Sequence, residues 1–150
     1  MEEPRLILGK RFIDDRGSLN FINDFNLNGI KWFYTVHNHR SGFVRAWHAH
    51  KHEAKYAAMA KGSAIVAAVL VDDWDHPNER HETPQPIYRH VLSAEQPAVF
   101  YIPAGYANGW MSLTDDATII FFSTTTAEES RGDDHRFPAR LWDIWTVEER

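Results

Sequence analysis

His48 and His50 are separated by a single residue, and Lys55 follows shortly after them. If residues 44–50 form a strand, side chains two apart share a face, so both imidazoles point the same way. Imidazole takes up and releases a proton near neutral pH, and it is also a common metal ligand. Lys55 separates the two uses. A divalent ion needs neutral or anionic donors and is repelled by an ammonium, whereas the same ammonium stabilises an oxyanion forming on a substrate carbonyl. The set therefore suits removal of a proton beside a ketone, with His48 and His50 as proton carriers and Lys55 as the cation. A buried lysine also requires an anionic partner, permanent or brought by the substrate. Arg45 falls on the opposite face of a regular strand and joins the histidines only if a bulge intervenes. Tyr34, Tyr56, Tyr88, Tyr101 and Tyr106 are the candidate acids; Tyr56 alternates away from Lys55, while Tyr34 lies on a segment able to approach His50 across a barrel. Trp32, Trp47 and Trp110 offer stacking surfaces as well as core volume.

For these groups to converge, the chain must be built of short strands. From Leu6 to Thr126 the sequence breaks into brief apolar runs, predicting strands at 5–8, 18–22, 30–37, 44–50, 55–60, 63–71, 88–92, 98–102, 107–112 and 118–124. Turn residues fall between them, as in Asp14-Asp15-Arg16-Gly17, Lys61-Gly62 and Pro103-Ala104-Gly105. The charged stretch 72–85, with Pro77 and Pro84, reads as a surface loop. After Pro138, Leu141, Ile144, Trp145 and Glu148 recur at helical spacing and predict one short C-terminal helix or turn. A chain of 150 residues that is 43% hydrophobic and 25% charged is expected to form one domain over 1–150. With 16 basic against 21 acidic residues it has no cationic field for a nucleic acid. No cysteine is present, which removes thiol catalysis and thiolate metal sites. The start, Met1-Glu2-Glu3-Pro4, is acidic, and no apolar run is long enough to cross a membrane, so a cytoplasmic protein without a membrane partner is expected. Six Trp, nine Phe and five Tyr exceed what a small core needs and suggest a ligand cavity.

The spacing Gly42-x5-His48-x-His50-x4-Lys55-x6-Gly62 resembles the first motif of the cupins, and Pro103-Ala104-Gly105-Tyr106-Ala107-Asn108 resembles the second. That resemblance implies an all-β, double-stranded β-helix or jelly roll. Lys55 and Asn108 stand where metal-binding cupins carry a carboxylate and an imidazole, which implies a cupin without a metal or other cofactor. More specifically, Asp14-x-Arg16-Gly17, Arg45-x-x-His48, Lys55, Gly62, Leu92-Ser93-Ala94-Glu95, Ile102-Pro103-x-Gly105-Tyr106-Ala107-x-Gly109 and Asp133-Asp134 resemble the dTDP-4-dehydrorhamnose 3,5-epimerase family. By this resemblance His48 is the general base, Lys55 steadies an enolate oxygen, Arg16 helps hold the nucleotide diphosphate and Arg45 contacts substrate or phosphate. Asn108, Trp110 and Tyr101 complete the expected substrate-binding set, and Tyr34 joins His48, His50 and Lys55 as a catalytic candidate. Two departures stand out. Asn108 replaces a second histidine of these epimerases, and the strand Ile119-Ile120-Phe121-Phe122-Ser123 lacks their acidic tyrosine. The run His48-Ala49-His50-Lys51 is similar to the sugar 3,4-ketoisomerases, in which the keto group migrates through an enediol. The expected function is thus a metal-independent isomerase of a 4-keto-6-deoxy nucleotide sugar. Its alternatives are a 3,4-ketoisomerase, a non-catalytic sugar-nucleotide-binding cupin, and a metal cupin using Glu53 or His52. A homodimer is expected, with Arg16 reaching the neighbour's pocket.

Overall fold

The computed structural model describes residues 1–79 and 84–150. Two five-stranded antiparallel sheets face one another. In the first, the order is β1 (Arg5–Leu8), β9 (Ala98–Ile102), β6 (Lys55–Lys61), β11 (Thr118–Ser123) and β4 (Trp32–His37). In the second it is β12 (His135–Arg136), β5 (Val44–Ala49), β10 (Tyr106–Ser112), β7 (Ser63–Leu70) and β8 (Ile87–Ser93). From β4 to β7 and again from β8 to β12 successive strands alternate between the sheets, while β7 and β8 are neighbours in the second, and this is the jelly roll expected from the motif spacing. At the β6–β7 crossing Gly62 has φ +72°, and a side chain there would strike the Thr114 hydroxyl and the backbone of Ala117, so the tight passage requires glycine.

Two cores explain the composition. Between the sheets lie Val66, Phe100, Ile102, Trp110, Ile119 and Phe121, and on the outer face of the second sheet lie Trp47, Ile65, Val69, Met111, Phe137 and Trp145. β7 contributes to both, which is why Ala64 to Val69 reads as unbroken apolar sequence instead of alternating. The outer core is covered by the C-terminal tail. No helix forms around Leu141, Ile144 and Trp145; the chain makes a turn at 139–142, and these side chains pack individually against the sheet. The helix forms earlier, as α1 (Ala127–Gly132), nucleated by a capping box in which Thr126 and Glu129 exchange hydrogen bonds.

Two strands escape the hydrophobic pattern. β2 (Lys10–Asp14) pairs only with β3 (Gly17–Phe21) in a separate hairpin whose side chains, the apolar ones included, are largely exposed, so no buried face imposes an alternation on it. β12 pairs with β5 through only two residues, too few for a period to show. Of the expected 72–85 loop, residues 80–83 lie outside the described residues, and 71–79 and 84–86 carry no helix or strand. Among the described residues, no helix is long and apolar enough to cross a membrane.

Candidate active site

β5 places the chemistry. Asn108 pairs with His48 and Trp110 pairs with Arg45, so Ala46 and Trp47 together oppose Gly109 in a β-bulge. The bulge turns Ala46 and Trp47 outward and returns Arg45 to the face of His48 and His50. Gly109 is required: a Cβ there would lie 2.5 Å from that of Ala46 and 3.1 Å from the Trp145 ring. The inward face opens on a cavity of about 240 Å³, lined from the second sheet by Arg45, His48, Asn108 and Trp110 and by His50 just beyond β5. The first sheet supplies Trp32, Tyr34, Lys55 and Phe121, and the C-terminal segment supplies Ser130, Arg131, Asp134 and Arg136.

The Nδ1 of His48 stands 3.6 Å from Oδ1 of Asp134, whose other oxygen accepts from Arg136 at 2.8 Å. Burial lowers the pKa of His48 to about 4; Arg136 and Lys55 add to the fall and Asp134 opposes it. The ring is therefore neutral at physiological pH and able to accept a proton. For Asp134, burial acts upward, but Arg136 and His48 outweigh it and keep the carboxylate below its usual range. Asn108 donates from Nδ2 to the backbone carbonyl of His48 at 2.9 Å, tying β10 to the base.

Lys55 is buried, with its Nζ 3.1 Å from Nε2 of His50 and 3.9 Å from Oε1 of Glu53. Burial lowers its pKa, and Glu53 and Asp134 work against that fall. The ammonium also stands 5.9 Å from the ring centres of Tyr34 and Phe121, within cation–π range. Tyr34 stacks between Trp32 at 4.6 Å and Phe121 at 5.4 Å, and burial followed by Glu53 raises its pKa, so the phenol stays protonated. Phe121 and Tyr34 are cross-strand partners on β11 and β4. A phenol thus lines the cavity one strand away from β11.

The family profile of the dTDP-4-dehydrorhamnose 3,5-epimerases matches residues 2–137. The chain belongs to that family. No curated protein sequence matches this epimerase-family chain. Solved structures share its fold. ChmJ, a 3'-monoepimerase from Streptomyces bikiniensis solved with dTDP-quinovose, has TM-score 0.75 and 19% identity over 98% of this chain and 77% of its own. The dTDP-4-dehydrorhamnose 3,5-epimerase of Elizabethkingia anophelis gives 0.72 and 23% over 99% and 84%. QdtA, a sugar 3,4-ketoisomerase from Thermoanaerobacterium thermosaccharolyticum in complex with TDP, gives 0.65 and 17% over 93% and 92%.

Within the epimerase fold, seven of the nine sequence-derived candidates, His48, His50, Lys55, Tyr34, Arg45, Asn108 and Trp110, line one cavity. Two do not. Tyr101 lies outside it, tilted against the Tyr56 ring at 4.7 Å under the guanidinium of Arg5, with its hydroxyl donating to Glu2. Alternation on β9 sends Phe100 and Ile102 into the core and Tyr101 away from it. Arg16 sits at the β2–β3 hairpin tip, 86% exposed and paired with Asp14 at 2.6 Å, and lines no part of its own chain's cavity. The sequence reading gave no role to Asp134, Arg136, Arg131 or Ser130. The capping signal Thr126-x-x-Glu129 marks the helix that carries two of them, but nothing local reveals that β12 returns to β5.

Proposed function

We propose that this protein is an isomerase of a dTDP-linked 4-keto-6-deoxy sugar that inverts a carbon next to the ketone without a metal. The observation that carries this reading is the placement of a neutral, carboxylate-backed imidazole on one sheet and a buried ammonium with a phenol on the other, across a single cavity. His48 removes the proton from the carbon; the electron pair moves onto the carbonyl oxygen, and Lys55 stabilises the enolate. Tyr34, reaching in from the opposite sheet, gives a proton to the other face of the same carbon, and collapse of the enolate restores the ketone. Asp134 on the Nδ1 side of His48 makes Nε2 the nitrogen that takes the substrate proton. Arg45, Arg131 and Arg136 are the cations available to the diphosphate, and Trp110 and Asn108 contact the sugar or base. Residues 1–150 act as one catalytic domain, and a cytoplasmic location suits a consumer of nucleotide sugars.

The second reading is 3,4-keto migration, favoured by the presence of both His48 and His50 at the cavity. Incubation with dTDP-4-keto-6-deoxyglucose in deuterated water, followed by NMR, separates the two. Deuterium at carbon 3 with inversion and a retained 4-ketone supports epimerisation, a 3-ketone supports migration, and complete retention of substrate protons leaves a binding module.

The donor set does not fit a cupin metal. Nε2 of His50 is occupied by Lys55 and its Nδ1 faces Glu53, so the imidazole has no lone pair to spare, and Asn108 replaces a ligating imidazole. Elemental analysis of the purified protein is expected to find well under one zinc, iron or nickel per chain, and chelation is expected to leave turnover unchanged. About one tightly held ion per chain would exclude the proposed chemistry.

Phe12, Ile13, Leu19 and Phe21 are exposed on a hairpin paired to neither sheet, and an isolated two-stranded hairpin is marginal in water. We infer a twofold homodimer in which this hairpin packs on the second copy and carries Arg16 towards that copy's cavity. Light scattering at micromolar concentration should give twice the chain mass, and a monomer would overturn this assembly.

A further inference from the structure

Glu53 does not line the cavity, yet it is the most completely engaged carboxylate near it. Its side chain is fully buried. Oε1 accepts from the Ser123 hydroxyl at 2.6 Å and Oε2 from the Ser130 hydroxyl at 2.7 Å. On the remaining side, Oε2 lies 3.0 Å from Nδ1 of His50, at hydrogen-bond distance though off the ideal direction, and Oε1 lies 3.9 Å from Lys55. An anion beside Nδ1 favours the tautomer protonated there, which leaves Nε2 with its lone pair towards the Lys55 ammonium.

We propose that Glu53 and His50 are positioning residues for Lys55: the carboxylate fixes the ring tautomer and balances the charge, and the ring nitrogen accepts from the ammonium and sets its direction into the cavity. This rests on the isomerase reading above and deepens it. His50 then carries no substrate proton, because its accepting nitrogen is engaged by Lys55 and its side chain is only 4% exposed. The cost of burying a lysine explains why so much is invested behind it. An ammonium removed from water persists only beside an anion, and the two serines anchor that anion, one from β11 and one from α1. The groups that face Lys55 are Tyr34 from β4, His48 and Arg45 from β5, His50 and Glu53 from the segment leading into β6, and Asp134 and Arg136 from the C-terminal segment. Glu53 and Asp134 are the anions among them, and Glu53 is the nearer one that does not also serve His48.

Two measurements test this on the full chain. In the first, Lys55 is titrated through the Cε chemical shift of 13C-lysine-labelled protein, with no substrate present. Glu53→Gln is expected to lower the Lys55 midpoint by about one pH unit or more, and Glu53→Asp, which keeps the charge, to restore most of it. An unmoved midpoint in Glu53→Gln overturns the proposal; if that variant does not fold, His50→Gln takes its place, and its midpoint must likewise shift. In the second, proton exchange is followed in a double-mutant cycle. Glu53→Gln and His50→Gln should each lower kcat about tenfold with KM within about twofold, yet change Lys55→Met by less than about twofold, since they act through the missing amine. Full additivity, the behaviour of a merely structural defect, overturns it, as does a loss in His50→Gln equal to that of His48→Asn. If the unaltered protein exchanges no substrate proton, the isomerase reading fails, and the titration alone decides whether Glu53 positions Lys55.

Discussion

His48→Asn is expected to lose about 10²–10⁴ in the rate of solvent deuterium exchange into the keto sugar, with fold and dTDP affinity retained. The side chain is a third exposed at the cavity and presents to it a neutral imidazole backed by the Asp134 carboxylate. Its pH dependence follows from burial. With a pKa pushed down to about 4, the imidazole is already unprotonated across pH 5–8, so the contribution of His48 to exchange should be flat there and fall as the pH drops towards 4. The sign is fixed: a lowered histidine pKa costs activity on the acid side. Exchange by His48→Asn within threefold of the unaltered protein would remove His48 from the mechanism, and an acid limb centred near 6.5 would show that burial does not set its basicity.

Lys55→Met should be nearly as damaging, by about 10²–10³ in turnover, because the enolate would form in a site shielded from water with no cation to meet it. Methionine has similar length, so the cavity keeps its shape. Stability should change too. Glu53 would lose its nearest cation while keeping Ser123, Ser130 and His50, which limits the destabilisation to about 1–3 kcal/mol in urea unfolding. Turnover that survives while stability falls would make Lys55 a purely structural partner of Glu53.

Much of this site is legible in the chain because strands obey a period of two. That period places His48 with His50 and sets Tyr56 apart from Lys55, and the turn residues mark most strand ends within a residue or two. It fails where it is broken. Arg45 joins the histidines through one extra residue in β5, a condition the sequence can pose and only the register with β10 can decide. Tyr101 reads as a candidate by type, although its neighbours Phe100 and Ile102 already claim the inward face. Asp134 is matched only as part of Asp133-Asp134, with no role, and Arg136 escapes because a two-residue pairing carries no pattern; the C-terminal apolar residues mimic a helix because packing singly on a sheet can imitate helical spacing over one turn. Glu53 is visible as a residue and invisible in role, since its partners Ser123 and Ser130 lie far along the chain.

The same C-terminal segment that brings Asp134 to His48 also lays Trp142 and Trp145 against Trp47, with ring centres 5.5 and 5.0 Å apart. Three indoles thus sit at one seam, and Trp47 and Trp145 both donate to the carbonyl of Ala139. Intrinsic fluorescence of this protein is therefore a readout of whether the catalytic wall is docked. Loosening of the seam would move the emission to longer wavelength, while Trp110 and Trp32 on the cavity side respond to ligand. Single-tryptophan replacements at these positions would give two optical signals from an unlabelled chain, one for closure of the segment and one for occupancy of the site.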